Sequence, residues 1–174
     1  ISHAHIDHIG NLPTWVRQGL DCPVIGTAAT VELSALLLRD SAHIQMIDAL
    51  FFNKHMRRRG EAPIEPLYAL EDAEAAIARL RPWKYHQWFE AVPGVRAYFH
   101  DAGHILGSAS ITVEESANGS RKRVSFTGDV GRPGTPILRD PEPFGSGADA
   151  VITESTYGNK DHAPQSELPE ALRK

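Results

Sequence analysis

His3-Ala4-His5-Ile6-Asp7-His8 sets three imidazoles and a carboxylate within one short segment. Any fold for this chain must bring those groups to one place. Neutral imidazole and carboxylate are ligands for borderline divalent metals, and the H-x-H-x-D-H spacing offers donors to two ions rather than one. Two residues apart on extended backbone, His3 and His5 project to the same side. Asp7 and His8 follow where the chain turns into a helix, within reach of a neighbouring metal position. A surface histidine cluster or a tag is the bland alternative, but a tag would be a contiguous histidine run.

The remaining composition is that of an ordinary globular chain. Of the 174 residues, 41% are apolar and 23% charged, too rich in core residues for disorder. A net charge of −4 gives no general attraction to nucleic acid, so any polyanion must be held locally. Cys22 is the one cysteine, which excludes an internal disulfide, fits a reducing compartment and reads as a small buried residue before a strand. No run of about 18 apolar residues and no signal peptide is present, so a cytoplasmic chain without a membrane partner is expected. Because the chain opens at Ile1 with its metal motif almost at the end, an internal piece of a longer protein is expected.

Periodicity predicts a helix over Ile6–Gly19, kinked or started late by Pro13. A short buried strand follows at Val24-Ile25-Gly26. Thr27 is placed to cap a long helix from Ala28 towards Arg59, with Val31, Leu33, Leu36, Leu37, Ile44, Ile47 and Leu50 as its apolar positions and Gly60 as its stop. Leu70–Leu80 reads as a compact helix. Beyond Pro82 the period falls to two: Trp88–Val92 and Val95–His100 pair across Pro93-Gly94, and Ser108–Glu115 pairs with Arg121–Thr127 around Asn118-Gly119. Residues 131–148 read as loop and Ala150–Thr153 as a last strand. Helices first, then strands with potential ligands at their ends, suggest a layered α/β structure.

Two strand-end loops share one grammar of glycine beside a ligand. Asp101-Ala102-Gly103-His104-Ile105-Leu106-Gly107-Ser108 presents His104, and Phe126-Thr127-Gly128-Asp129-Val130-Gly131 presents Asp129. Together with the first cluster, His3, His5 and His104 complete one nitrogen-rich position. Asp7 and His8 begin a second, with Asp129 bridging, which leaves the second ion one protein ligand short. The basic runs Arg57-Arg58-Arg59 and Arg121-Lys122-Arg123 read as a solvated helix end and a hairpin edge at least as well as an RNA track. Trp83, Tyr85, Trp88 and Phe89 fit packing on the sheet better than base stacking.

In this combination the chain resembles the metallo-β-lactamase superfamily. Gly-His-Ile-Leu-Gly-Ser-Ala at 103–109 and Glu-Ser-Thr-Tyr-Gly at 154–158 narrow the resemblance to its β-CASP branch of RNA-processing nucleases. Asp40-Ser41-Ala42-His43-Ile44-Gln45 and Gly131-Arg132-Pro133 are similar to prokaryotic relatives of the cleavage and polyadenylation endonuclease subunit. The resemblance implies a partial αββα sandwich over residues 1–158, lacking its first strands and C-terminal part, with the start of a β-CASP domain at 159–174. It implies a metal-dependent ribonuclease in RNA processing or decay, hydrolysing phosphodiesters of single-stranded RNA, and it is compatible with a homodimer. His3, His5, Asp7, His8, His104 and Asp129 would hold two divalent ions, zinc before manganese or iron. Asp7 would orient the attacking water. Glu154 would support a general-acid histidine found later in the family, and Gly107 and Ser108 would meet a phosphate. The family's two later β-CASP histidines and its final metal-ligand histidine have no counterpart here, so the isolated piece is expected to be inactive or unstable.

Two other readings stay open. One is another hydrolase on the same fold, such as a thioesterase, a lactamase or a DNA nuclease, which would not need residues 154–158. The other is a non-catalytic RNA-binding subunit, in which ligand positions are typically lost.

Overall fold

A computed structural model describes residues 1–117, 119–161 and 173. Two layers form from the order of elements along the chain. The first is helical: α1 (Ile6–Ile9), α2 (Leu12–Arg17), α3 (Ala28–Met56) and α4 (Leu70–Ile77) surround a parallel two-stranded ribbon of β1 (Val24–Thr27) and β2 (Leu80–Trp83). The second is a five-stranded sheet in the order β3 (Phe89–Val92), β4 (Val95–Asp101), β5 (Ala109–Ala117), β6 (Ser120–Phe126), β7 (Ala150–Ile152). Its pairs are antiparallel except β6 and β7, which run parallel.

The predicted helix over 6–19 is two helices. The chain breaks at Gly10-Asn11 and Pro13 enters the first turn of α2, where its missing N–H costs nothing. Thr27 caps α3 as expected, its Oγ1 accepting from Thr30 N at 3.3 Å, and after a 3-10 turn at Arg57–Arg59 the chain reverses at left-handed Gly60. The buried face of α3 differs from the expected one. Thr30, Ser34, Leu38 and Ala42, four apart, form the inward ridge, while Leu36, Ile44, Ile47 and Leu50 are exposed. Small side chains let α1, α4 and the ribbon approach closely, so packing distance rather than hydrophobicity selected the face. The core gathers Ile9, Leu12, Val16, Leu38, Ala42, Tyr68, Ala73, Ala76 and Leu80. Tyr68, buried among them, donates its hydroxyl to Ser41 Oγ at 2.8 Å.

Two further expectations are corrected. Leu80 opens strand β2 instead of closing a helix, and Pro82 is tolerated there because the ribbon has only two strands. Cys22 is exposed, since the chain is still in the turn before β1. The last strand forms at Ala150–Ile152 and joins the sheet parallel to β6. The hairpins at 89–101 and 109–126 form as read, although Asn118 lies outside the described residues, as do 162–172 and 174, on which most of the expected second domain falls.

On the polar face of the five-stranded sheet, Glu114 is fully buried beneath arginines. Arg96 and Arg123 approach its two oxygens to 2.7 and 2.6 Å, and Arg121 lies at 3.4 Å. Lys122 pairs with Asp149 at 3.1 Å. The Arg121-Lys122-Arg123 run is therefore committed to holding the sheet and its following loop. Among the aromatics, Tyr85 donates to Ser108 C=O at 2.8 Å, Trp83 packs on Phe89, and Trp88 lies beneath the Arg96 guanidinium, 4.2 Å from its ring centre.

Candidate metal centre

Strand direction assembles the site. Since β5 is antiparallel to both β4 and β6, and β7 is parallel to β6, strands β4, β6 and β7 all end at the same sheet edge. The loops leaving those three ends carry His104, Asp129 and Glu154. The N-terminal segment is tied to the same edge where Ala109 N donates to Ser2 C=O at 2.8 Å, which brings His3, His5, Asp7 and His8 alongside. The His104 and Asp129 loops press together through glycine. Gly131 N donates to Ala102 C=O at 2.8 Å, and a Cβ on Gly131 would meet Gly103 O at 1.8 Å, so only glycine allows this approach.

His3, His5, His104 and Asp129 converge: one ligand atom from each lies within 4.8 Å of all the others. His5 Nδ1 is 3.0 Å from His3 Nε2 and 3.2 Å from His104 Nε2. Asp129 Oδ2 lies 3.7 Å from His3 Nε2 and 3.5 Å from His104 Nε2. A neutral ring nitrogen is one donor or one acceptor, so His5 Nδ1 cannot form good hydrogen bonds to both imidazoles. A central ion resolves this. Bonds of roughly 2.0–2.1 Å in tetrahedral geometry place neighbouring ligand atoms about 3.3–3.4 Å apart, and the four contacts just given bracket that spacing. The donor set fits a divalent ion.

Electrostatics point the same way. His3 is buried, and desolvation lowers its pKa to about 4, with the His8 ring lowering it further and Asp129 opposing. His104 is also lowered, chiefly by burial. At neutral pH both rings are uncharged, with a lone pair free for a cation and no proton to displace.

His8 Nε2 reaches the other Asp129 oxygen, Oδ1, at 3.3 Å, so Asp129 faces imidazoles from both of its oxygens. Asp7 stands outside the four-residue cluster, exposed and 3.6 Å from His8 Nε2. Glu154, expected beside a catalytic histidine, holds the neighbouring loop: its Oε1 accepts from Val130 N at 2.8 Å. That amide bond is also the largest cause lowering its pKa.

The phosphate role expected for the Ser108 hydroxyl is corrected by its surroundings: Ser108 is fully buried, and its Oγ accepts from His104 N at 3.0 Å and Ile105 N at 3.2 Å. Gly107 C=O accepts from Thr27 Oγ1 at 2.6 Å and Thr30 Oγ1 at 2.8 Å. Ser108 Oγ and Gly107 C=O thus build the His104 turn. Sequence reasoning missed Ser2, whose Oγ lies 3.2 Å from His3 Nδ1 and 3.4 Å from His8 Nδ1. Its position directly before the motif was the available signal.

A mixed α/β fold with a His/Asp cluster where loops leave its strand ends is the arrangement that the resemblance to the metallo-β-lactamase superfamily implies. Over nearly its whole length the chain is similar to proteins named as a ribonuclease and as a transcription termination factor. It is 34% identical over 169 residues to "Ribonuclease TTHA0252" of Thermus thermophilus, covering 96% of this chain and 33% of that protein. It is 33% identical over 175 residues to "Transcription termination factor FttA" of Thermococcus kodakarensis, covering 99% of this chain and 24% of that protein. The chain thus spans a third or less of the curated relatives it matches. A solved B3 metallo-β-lactamase with an active-site glutamic acid aligns at TM-score 0.42 and 17% identity, over 75% of this chain and 42% of that one. The chain matches no protein-family model. Among the described residues no helix is long and apolar enough to cross a membrane.

Proposed function

We propose that this chain, as part of a longer protein, supplies the larger share of the metal centre of a ribonuclease that hydrolyses phosphodiester bonds of single-stranded RNA. The convergence of His3, His5, His104 and Asp129 carries the proposal. The names of the two relatives, a ribonuclease and a transcription termination factor, favour RNA over the thioesterase and lactamase readings.

In this reading His3, His5, His104 and Asp129 hold one divalent ion, and His8, Asp7 and Asp129 contribute to a second. Zinc is favoured by the nitrogen-rich first set. Bound divalent ions lower the pKa of water towards about 7 and offset charge on phosphoryl oxygens. The chain's own residues do the rest. Buried His3 and half-buried His104 would offer the ion ring lone pairs instead of charged imidazoliums. Ser2 fixes the outward nitrogens of His3 and His8, so that each Nε2 points inward. Asp7, exposed beside His8, would accept a hydrogen bond from the attacking water and orient it. Glu154 is a positioning residue: through Val130 N it sets the loop that aims Asp129.

The test is RNA cleavage and metal content of the protein with His5→Ala and Asp129→Ala. Both variants are expected to lose bound metal and to cleave single-stranded RNA at least about 100-fold more slowly. Wild-type cleavage in both would end the two-metal reading.

A further inference from the structure

The turn that presents His104 is fastened to a distant helix end. Gly107 C=O has two lone pairs, and both are taken by hydroxyls from the first turn of α3, Thr27 Oγ1 at 2.6 Å and Thr30 Oγ1 at 2.8 Å. Thr27 Oγ1 also accepts from Thr30 N, so one side chain caps the helix and grips the loop together. Ser108 Oγ closes the turn by accepting from His104 N and Ile105 N, and Tyr85 O–H holds Ser108 C=O. Thr27, Thr30 and Ser108 are all buried, so water cannot replace these bonds without opening the turn.

We infer that Thr27 and Thr30 are positioning residues for the metal centre: their paired hydroxyls latch the Gly107 carbonyl and thereby set His104 Nε2 at its distance from His5 Nδ1. The inference rests on the metal reading above. Helix α3 thereby becomes part of the site's support. A ligand must sit within about 0.2 Å of its ideal distance to bind well, and a turn freed at Gly107 would let the preceding three-residue span, His104 included, wander by more than that.

Cobalt(II), added to the metal-free protein and followed by its visible absorption, tests this. Thr30→Val keeps the shape and the helix cap but removes one hydroxyl, whereas Thr30→Ser keeps the hydroxyl. Thr30→Val should weaken cobalt affinity about 10-fold and dim the absorption as His104 gives way to water, with Thr30→Ser within about twofold of wild type. In metal-free protein, the backbone amides of His104 and Ile105 should exchange with solvent faster in Thr30→Val than in Thr30→Ser. Equal cobalt affinity, spectrum and amide exchange in the two variants would overturn the latch while leaving the metal reading intact. Wild-type protein that binds no cobalt would overturn both.

Discussion

Replacing Gly107 with alanine asks whether the His104 turn is as tightly built as its hydrogen bonds imply. Gly107 adopts φ +84°, and a Cβ there would lie 2.6 Å from Thr30 N, 2.7 Å from Thr27 Oγ1 and 2.8 Å from Thr30 Oγ1. Left-handed backbone costs a residue with a Cβ about 1–2 kcal/mol. The collision adds about 1–3 kcal/mol, since one obstacle is backbone and the other two are held hydroxyls. The sum, about 2–5 kcal/mol, corresponds to a fall in Tm of about 4–20 °C at this chain length. Gly19 is the internal control. Its φ is +105° but nothing lies within 4 Å of a Cβ placed there, so Gly19→Ala meets the backbone term alone. Thermal unfolding followed by circular dichroism should therefore show the larger fall for Gly107→Ala. That variant should also bind cobalt(II) more weakly, and Gly19→Ala should not. Equal melting points for the two variants would refute the claim that the turn is closed by contact with α3.

Leu38 lies fully buried at the centre of the helical core, and Leu38→Ala should cost about 2–5 kcal/mol by urea denaturation; a cost under about 1 kcal/mol would place the core elsewhere. Glu114 gives a pH-dependent prediction. The Arg123 hydrogen bonds, then those of Arg96, hold its carboxyl below its ordinary value of 4.5. A carboxylate with a depressed folded pKa stabilises the fold at pH above that ordinary value and loses the contribution as pH falls below it. Wild type should therefore melt higher than Glu114→Gln at pH 7, with the gap narrowing as pH falls below 4.5; a gap that stays constant on acidification would show the ion pairs to be idle.

What could be read from the sequence depended on whether its cause was local. The cap at Thr27, the stop at Gly60 and the hairpin turn at Pro93-Gly94 are each decided within a few residues, and they formed where expected. The convergence of His3, His5, His104 and Asp129 was legible for a similar reason, since a dense His/Asp motif has few other uses and glycine marks the loops that bring the remaining side chains close. The buried face of α3 was not legible. Leu36 and Leu50 are better hydrophobes than Ser34 and Ala49, yet they are exposed while the small residues are buried. Which face is used depends on how closely α4 and the β1–β2 ribbon approach, and nothing within α3 records that distance. What Ser108 and Glu154 bond was not legible for the same reason. Their partners, His104 N and Val130 N, are backbone groups, which a sequence names at every position and therefore singles out nowhere.

That division also explains how the centre is held together. Three imidazole nitrogens and a carboxylate oxygen crowded around one point do not satisfy one another, so the cluster needs support from outside. Each support attaches away from the face that meets the common point. Ser2 lies at the Nδ1 side of His3 and His8, whose Nε2 atoms face Asp129. Glu154 bonds the amide following Asp129 and leaves the carboxylate itself untouched. Ser108 bonds the backbone of His104, not its ring. A network that instead tied up the inward atoms would be stable without a cation and would compete with it. A shared cation would give the inward atoms one common partner, so binding one should rigidify the sheet edge and the N-terminal segment together.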